Sequence, residues 1–457
     1  MKKYLLIFFL LQSGVAFSNS GKAEVTWDRF LSKPHYLTTQ LDDYHYLSLD
    51  YNFKYDFKSF QWNSYIVGQY FFDSSGIYYL SAPNMYLSYL YKFNNPSLFI
   101  RSINLSFGRK VQTWSLADEH WDFGLWQPLN RWNPLHPMDK GLIGTFVNVE
   151  LKNWSIDMLV GGLYIPSTYT KAEIKNNKVT SSSRWFLGAP QKVDILGRDI
   201  LDIEYLIKTP FILDIFFQQS YILSFKTWLD KKNKTWSKWV FGYKPINDLF
   251  IVTNTKDVLD LNDMKVQAKV SVLPVRHKVI SSELGFDYND FSTVFSVGYT
   301  SVQEDRAAPE GWEFLHDRGK FTYFSALLKY HFLKNNYLQV SFLDSWFDRN
   351  LSEEDYKGEQ VAPFVFNHYK ILNGFGLDLH FKYFSKKNFK RQLDIKYKYS
   401  IPNKGGLLSA EATYYVRSNL YTSLTLDVLG SDNKSDKYFL DKFRANDYVG
   451  WRVSYVF

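Results

Sequence analysis

Asp447-Tyr-Val-Gly-Trp-Arg-Val-Ser-Tyr-Val-Phe457 is the stretch that decides the fold. Val449, Trp451, Val453, Tyr455 and Phe457 fall at every second position, with Tyr448, Gly450, Arg452 and Ser454 between them. In a strand, residues two apart share a face. One face is therefore apolar and the other carries Arg452 and Ser454. The length suits one crossing of a bilayer by a tilted strand, which takes about 9–11 residues. An amphipathic strand of a soluble sheet would alternate in the same way, so the rest of the chain must discriminate.

A last strand ending on an aromatic residue resembles the insertion signal of Gram-negative outer-membrane β-barrels. On that resemblance Trp451, Val453, Tyr455 and Phe457 form an assembly signal, and the barrel assembly machinery of the outer membrane is an expected partner. The other end of the chain reads as an export signal. Lys2 and Lys3 precede an apolar run from Tyr4 to Leu11, and Ala16-Phe-Ser18 places small residues where a signal peptidase reads. The expected division is a signal peptide over 1–18, with Ser20 as a second cut position, and a barrel over 19–457. No segment supplies about 18 consecutive apolar residues, so no helical anchor is expected. Mean hydropathy is −0.29, and a membrane barrel hides its apolar content in alternation.

Phe, Tyr and Trp number 39, 34 and 14, together 19% of 457 residues. Such residues favour strands and gather at membrane interfaces. Cysteine is absent, which excludes disulfide and thiolate chemistry. The formal charge of +8 is mild for this length. Without a basic block or motif it gives no reason to expect a nucleic-acid partner.

Along the chain an alternating run, a short turn, a second run and a longer loop recur. Leu47, Leu49, Tyr51, Phe53, Tyr55 and Phe57 oppose Tyr46, Ser48, Asp50, Asn52, Lys54 and Asp56. Leu377, Leu379, Phe381 and Tyr383 oppose Asp378, His380 and Lys382, and Leu393, Ile395, Tyr397 and Tyr399 oppose Gln392, Asp394, Lys396 and Lys398. One apolar and one charged face suit a barrel in lipid with a wet interior. Lys54, Asp56, Asp378, His380, Lys382, Asp394, Lys396 and Lys398 are thus lumen-facing candidates. Polar turns are expected at 58–59, 94–96, 152–153, 208–210, 244–247, 334–336 and 386–388. Longer loops fall near 73–83, 109–141, 166–198, 302–320, 347–369 and 430–446. The fold class is all-β: a transmembrane antiparallel barrel of about 18–22 strands. The loops before about 260 and after 300 alternate out of step, so a strand is missed or split between about 246 and 301. The weak run Ala23–Leu31 is a candidate first strand.

Residues 107–141 depart from this rhythm. They hold Trp114, Trp121, Trp126 and Trp132 among many charges. A solvated loop rarely leaves so many tryptophans unburied, so the expectation is a loop folded into the lumen. Arg109, Lys110, Asp118, Glu119, His120, Asp122, Arg131, Asp139 and Lys140 then become constriction candidates, because opposed charges at a narrowing select solutes. An external cap or a structural plug is the alternative. Gly108-Arg-Lys, Trp114-Ser, Ala117-Asp118 and Asn133-Pro-Leu135 resemble a pattern of Gly-Arg-Gln, Trp-Gly, Ala-Asp and Asn-Pro-Leu in large porin-like outer-membrane barrels. Lys110 and Ser115 depart from it.

Ser115, His120 and Asp122 are triad residue types, but such a triad is defined by geometry rather than local clustering. Neither a Gly-x-Ser-x-Gly elbow nor a His-Glu-x-x-His motif occurs, so no enzyme is expected. Asp118, Glu119, His120, His136 and Asp139 match no known calcium loop, and neither metal nor cofactor is expected. The sequence therefore points to a channel for passive diffusion of small polar solutes or ions across an outer membrane. Its partners would be membrane lipids and the solute, with self-association left open. The rivals are a plugged adhesive barrel, a transporter of hydrophobic substrates and an outer-membrane hydrolase.

Overall fold

The structure is a computed structural model that describes residues 17–32, 42–72, 78–93, 99–170, 173–175, 178–181, 183–186, 192–195, 199–208, 211–230, 234–254, 259–260, 265–302, 312–314, 319–333, 335–348, 369–384, 389–402, 404–432 and 438–457. Eighteen strands close one antiparallel sheet. They are β1 Phe17–Phe30, β2 Asp43–Phe57, β3 Phe60–Phe71, β4 Tyr78–Lys92, β5 Ile100–Lys110 and β6 Leu142–Leu151. Then come β7 Trp154–Leu163, β8 Ser220–Trp228, β9 Thr235–Pro245, β10 Arg276–Tyr288, β11 Phe291–Val302 and β12 Lys320–Leu333. The last six are β13 Asn336–Asp348, β14 Gly374–Phe384, β15 Phe389–Ser400, β16 Gly405–Tyr415, β17 Leu420–Ser431 and β18 Tyr448–Val456. Each strand pairs with its successor, and β18 pairs with β1 in register from Lys22↔Val456 to Phe30↔Tyr448. Phe457 adds two backbone bonds to Gly21, at 2.7 and 2.9 Å. A closed barrel leaves no strand edge unpaired, which is what hydrocarbon demands.

Alternation sets the two faces. Leu49, Trp62, Phe107, Val160, Phe295, Leu377, Leu424, Trp451 and Tyr455 are exposed on the outside. Ser48, Ser106, Ser224, Ser281, Ser296, Ser325, Ser341 and Ser454 are buried on the inside. An apolar band this extensive is a liability in water and the required surface in lipid. Phe57-Lys-Ser-Phe60 and Tyr288-Asn-Asp-Phe291 are two-residue hairpins whose first turn residues, Lys58 and Asn289, have φ of 52° and 50°. That left-handed backbone matches the strand twist.

Connections at one end of the barrel are all short; the other end carries the long ones, although 72–77 and 401–404 there are short. Two expectations need correction. Lys208 lies outside the barrel: the strand Asp199–Ile207 pairs in parallel with Lys265–Leu273 in a separate six-stranded sheet on the long-loop side. Lys244-Pro-Ile-Asn247 is no hairpin turn, because β9 pairs with β10 and residues 246–275 make a long excursion. The true turn lies between Trp228 and Thr235. These two misreadings account for the loops falling out of step. The Ala23–Leu31 run is indeed the first strand. Of the expected export segment 1–18, residues 1–16 lie outside the described residues, and a cut after Ser18 would fall just inside β1.

The apolar core lies inside the barrel. Trp114, Trp121, Phe123, Trp126 and Leu135 from the 111–141 segment pack with Ile222, Val240, Val279, Phe321, Tyr323, Leu343 and Tyr369. The expected inward-folded loop is present.

Candidate pore constriction

The segment leaves the wall at Lys110 and returns at Leu142. Gly141 closes this neck: its N–H donates to Pro83 O at 2.8 Å, and a Cβ there would lie 2.4 Å from the Lys110 carbonyl carbon. Ser115 caps the short helix α1, Leu116–Trp121, by accepting from the Asp118 N–H. The Asp118 carboxylate then accepts from Leu125 N at 2.9 Å and Trp126 N at 3.2 Å. One buried side chain therefore fixes the turn that follows the helix. Burial pushes its carboxyl up to about 7, against those two N–H donors.

The helix docks on the opposite wall. Glu283 of β10 accepts from Ser115 Oγ at 2.8 Å and from Leu116 N at 2.7 Å. Trp121 Nε1 donates to Ser325 Oγ of β12 at 2.9 Å. Trp126 lies against Gly242 of β9, where a Cβ would come within 2.7 Å of the indole. Serine and glycine at these inward positions make room for three buried indoles.

Beyond the helix the segment crosses to β14–β18. The Lys370 ammonium sits 2.7 Å from Asp122 Oδ2, and that of Lys398 sits 3.9 Å away. Burial alone would raise the Asp122 carboxyl, but the two lysines overcome it and hold it at about 2. His120 Nδ1 lies 3.1 Å from Gln339 Nε2 and 3.7 Å from Asp378 Oδ2. Burial, reinforced by Lys398, keeps its imidazole well below its usual range, so it is neutral near pH 7. Farther on, His136 Nε2 meets Asp427 Oδ2 at 2.8 Å, and Asn133 donates to the Tyr448 hydroxyl at 3.0 Å.

Two open voids flank the crossing. A mid-lumen void of about 760 Å³ is bordered by Glu119, His120, Asp122, Lys370, Asp378, Lys396 and Lys398. A second, of about 1170 Å³, is bordered by Asp28, Tyr46, Gln69, Trp132 and Arg452. His136 borders both.

Of the nine constriction candidates, Glu119, His120 and Asp122 line the mid-lumen void. The others sit elsewhere. Arg109 donates to Gly141 O and Ala82 O, both at 3.1 Å. Arg131 donates to Phe123 O at 2.9 Å, and Lys140 to Thr168 Oγ1 at 2.7 Å. Lys110 lies between the Tyr86 and Phe146 rings, 5.5 and 5.4 Å from their centroids. Asp118 is spent on its turn. Asp139 lines a smaller void with it, and burial pushes its carboxyl up to about 6. These groups hold the segment's shape.

Among the lumen-facing candidates, Asp378, Lys396 and Lys398 reach the mid-lumen void. His380 contacts Asp394, Lys54 pairs with Asp56 at 3.3 Å, and the Lys382 backbone N–H donates to Asn336 Oδ1 at 2.6 Å. Glu283, Lys370 and Asp427 were missed, and His136 and Arg452 were named without a role in the pore. Glu283 had a signal, as the one carboxylate in Ile280-Ser-Ser-Glu-Leu284. Lys370, isolated beyond a long loop, had none. The triad residue types do not converge, because Ser115 bonds Glu283 whereas Asp122 pairs with Lys370. No group of three or more potential metal ligands occurs among the described residues.

No family model matches the sequence, and no curated protein matches it. Solved structures match it at low similarity. Acinetobacter baumannii OccAB3 has a TM-score of 0.48 at 10% identity, over 96% of this chain and 99% of that one. Pseudomonas aeruginosa OccK2 (OpdF) has 0.48 at 10%, over 96% and 97%. The outer membrane protein OpdK of Pseudomonas aeruginosa has 0.45 at 10%, over 97% and 99%. The barrel itself rests on this chain's own closed sheet.

Proposed function

We propose that this protein is an outer-membrane channel for passive diffusion of small polar solutes or ions, with the 111–141 segment as its constriction. An export signal over 1–18 delivers the chain. Its removal leaves the closure of β1 on β18 intact, since that pairing starts at Lys22. The observation that carries the reading is an inward crossing flanked by two voids with charged borders. A transporter of hydrophobic substrates needs an apolar lumen, and Asp122, Lys370, Asp378, Lys396 and Lys398 argue against one.

The proposed path runs past His136. There, fixed charges act on a permeating solute in a narrow, partly desolvated passage, where their field is stronger than in bulk water. Lys396 sits beside Asp378 on neighbouring strands of the wall and Lys398 lies 3.9 Å from Asp122, so the narrowing presents both signs side by side. Single-channel recording in a planar bilayer, with reversal potential across a salt gradient, tests the reading. Discrete conductance steps are expected. A correctly folded barrel that passes no current would establish the plugged, adhesive alternative.

A further inference from the structure

Between β7 and β8 the chain runs Phe211-Ile-Leu-Asp-Ile-Phe-Phe217, with Ile212–Phe216 forming the short helix α2. None of its residues is buried. Phe211 is 65% exposed, Ile212 60%, Leu213 45% and Phe217 61%. A loop facing water does not hold such a cluster without a partner. The helix is tied to the top of the wall, where Tyr164 N donates to Phe216 O at 2.8 Å and Gln218 Nε2 donates to Asp214 O. Directly below it, the outward residues Leu163, Val160 and Tyr221 are exposed, and Val160 and Tyr221 are cross-strand partners.

From this we infer that Phe211–Phe217 is a lipid-binding surface: a short helix seated among the acyl chains at the long-loop edge of the membrane. Two arguments select lipid over a second copy of the chain. The cluster adjoins the apolar outer band of β7 and β8, where Leu163, Val160 and Tyr221 are exposed, and its exposed polar groups are Asp214 on the helix and Gln219 beside Tyr221, as suits a segment at headgroup height. It is also small: an aromatic side chain buries roughly 150–250 Å² in full, so four half-exposed side chains offer about 400 Å². A stable protein partner takes about 800 Å² per side. Apolar residues at an interface bind by burying area in the headgroup–acyl boundary. The surface would fix the height of the barrel beneath the six-stranded outer sheet.

The inference rests on the barrel's place in a membrane and not on conduction. The natural absence of cysteine allows single spin labels through Phe211→Cys, Phe217→Cys, Leu424→Cys and Lys404→Cys. The protein is reconstituted in phosphatidylethanolamine–phosphatidylglycerol vesicles. Relaxation is measured with oxygen, which concentrates in lipid, and with a nickel chelate, which stays in water. Labels at 211 and 217 are expected to respond more to oxygen than to nickel, like 424 in the outer band and unlike 404 at an exposed turn. A nickel-dominated response at 211 and 217 alone overturns the inference. So does poor access to both reagents, which means coverage by protein. A nickel-dominated response at 424 overturns the membrane barrel itself.

Discussion

Replacing Glu283 with alanine isolates the docking of the constriction segment from the stability of the barrel. Its Oε1 accepts two short hydrogen bonds, from Ser115 Oγ at 2.8 Å and Leu116 N at 2.7 Å, and both lie at the start of α1. Hydrogen bonds to a charged group contribute about 1.5–3 kcal/mol each, so Glu283→Ala removes about 3–6 kcal/mol of attachment. The wall survives, because β10 keeps its backbone pairing with β9 and β11. The segment also keeps Trp121 on Ser325, Lys370 on Asp122 and His136 on Asp427. The expected result is a loosened segment in an intact barrel, seen as raised single-channel conductance and open-channel noise with normal heat-modifiable gel mobility. Glu283→Gln keeps an acceptor in place and should restore most of the wild-type trace. If Glu283→Ala folds normally and its conductance and noise equal those of the wild type, docking through Glu283 does not set the pore.

Acid should loosen the same segment from its other side. Asp122 is held at about 2, below the ordinary carboxylate value, so its contribution is fully present above about pH 4 and lost as pH falls through 2; it amounts to roughly 2 kcal/mol. Open-channel noise should rise over that window, and Lys370→Met, which removes the nearer cation, should abolish the step. Changing Phe457 to aspartate places a charge on the exposed face of the closing strand and should lower the level of assembled barrel; normal surface levels under native expression would contradict this. Cysteine at 394 or 396 should react with a water-soluble thiol reagent, while cysteine at 393 or 395 should not; the reverse pattern would invert the wall.

The wall was legible in sequence because each strand writes its own two faces. Val449 to Phe457 and Leu393 to Tyr399 need no partner to reveal which side is apolar, and period-two alternation survives any error in strand count. The eighteen strands fall within the expected range, and the assignment of turns went astray only where a second sheet borrows strands. Asp199–Ile207 and Lys265–Leu273 alternate as barrel strands do, and nothing local records that they pair in parallel with each other. Four tryptophans in one loop announced an inward fold, since burial is the only economical home for them.

The roles of the charges within that loop were not legible, for a physical reason. A charge in a crowded lumen either borders water or satisfies a backbone group, and the choice depends on what lies across the barrel. Arg131 and Asp122 are nine residues apart, yet the arginine is spent on the Phe123 carbonyl while the aspartate meets Lys370, which is remote in sequence. The serines tell the same story from the wall. Ser281, Ser296 and Ser325 are small, buried inward residues, and Ser325 receives Trp121. Inward serines on β10–β12 and inward lysines on β15 divide the barrel into a docking side and an open side. The proposed path must run along the open side, because the docking side is filled by buried indoles.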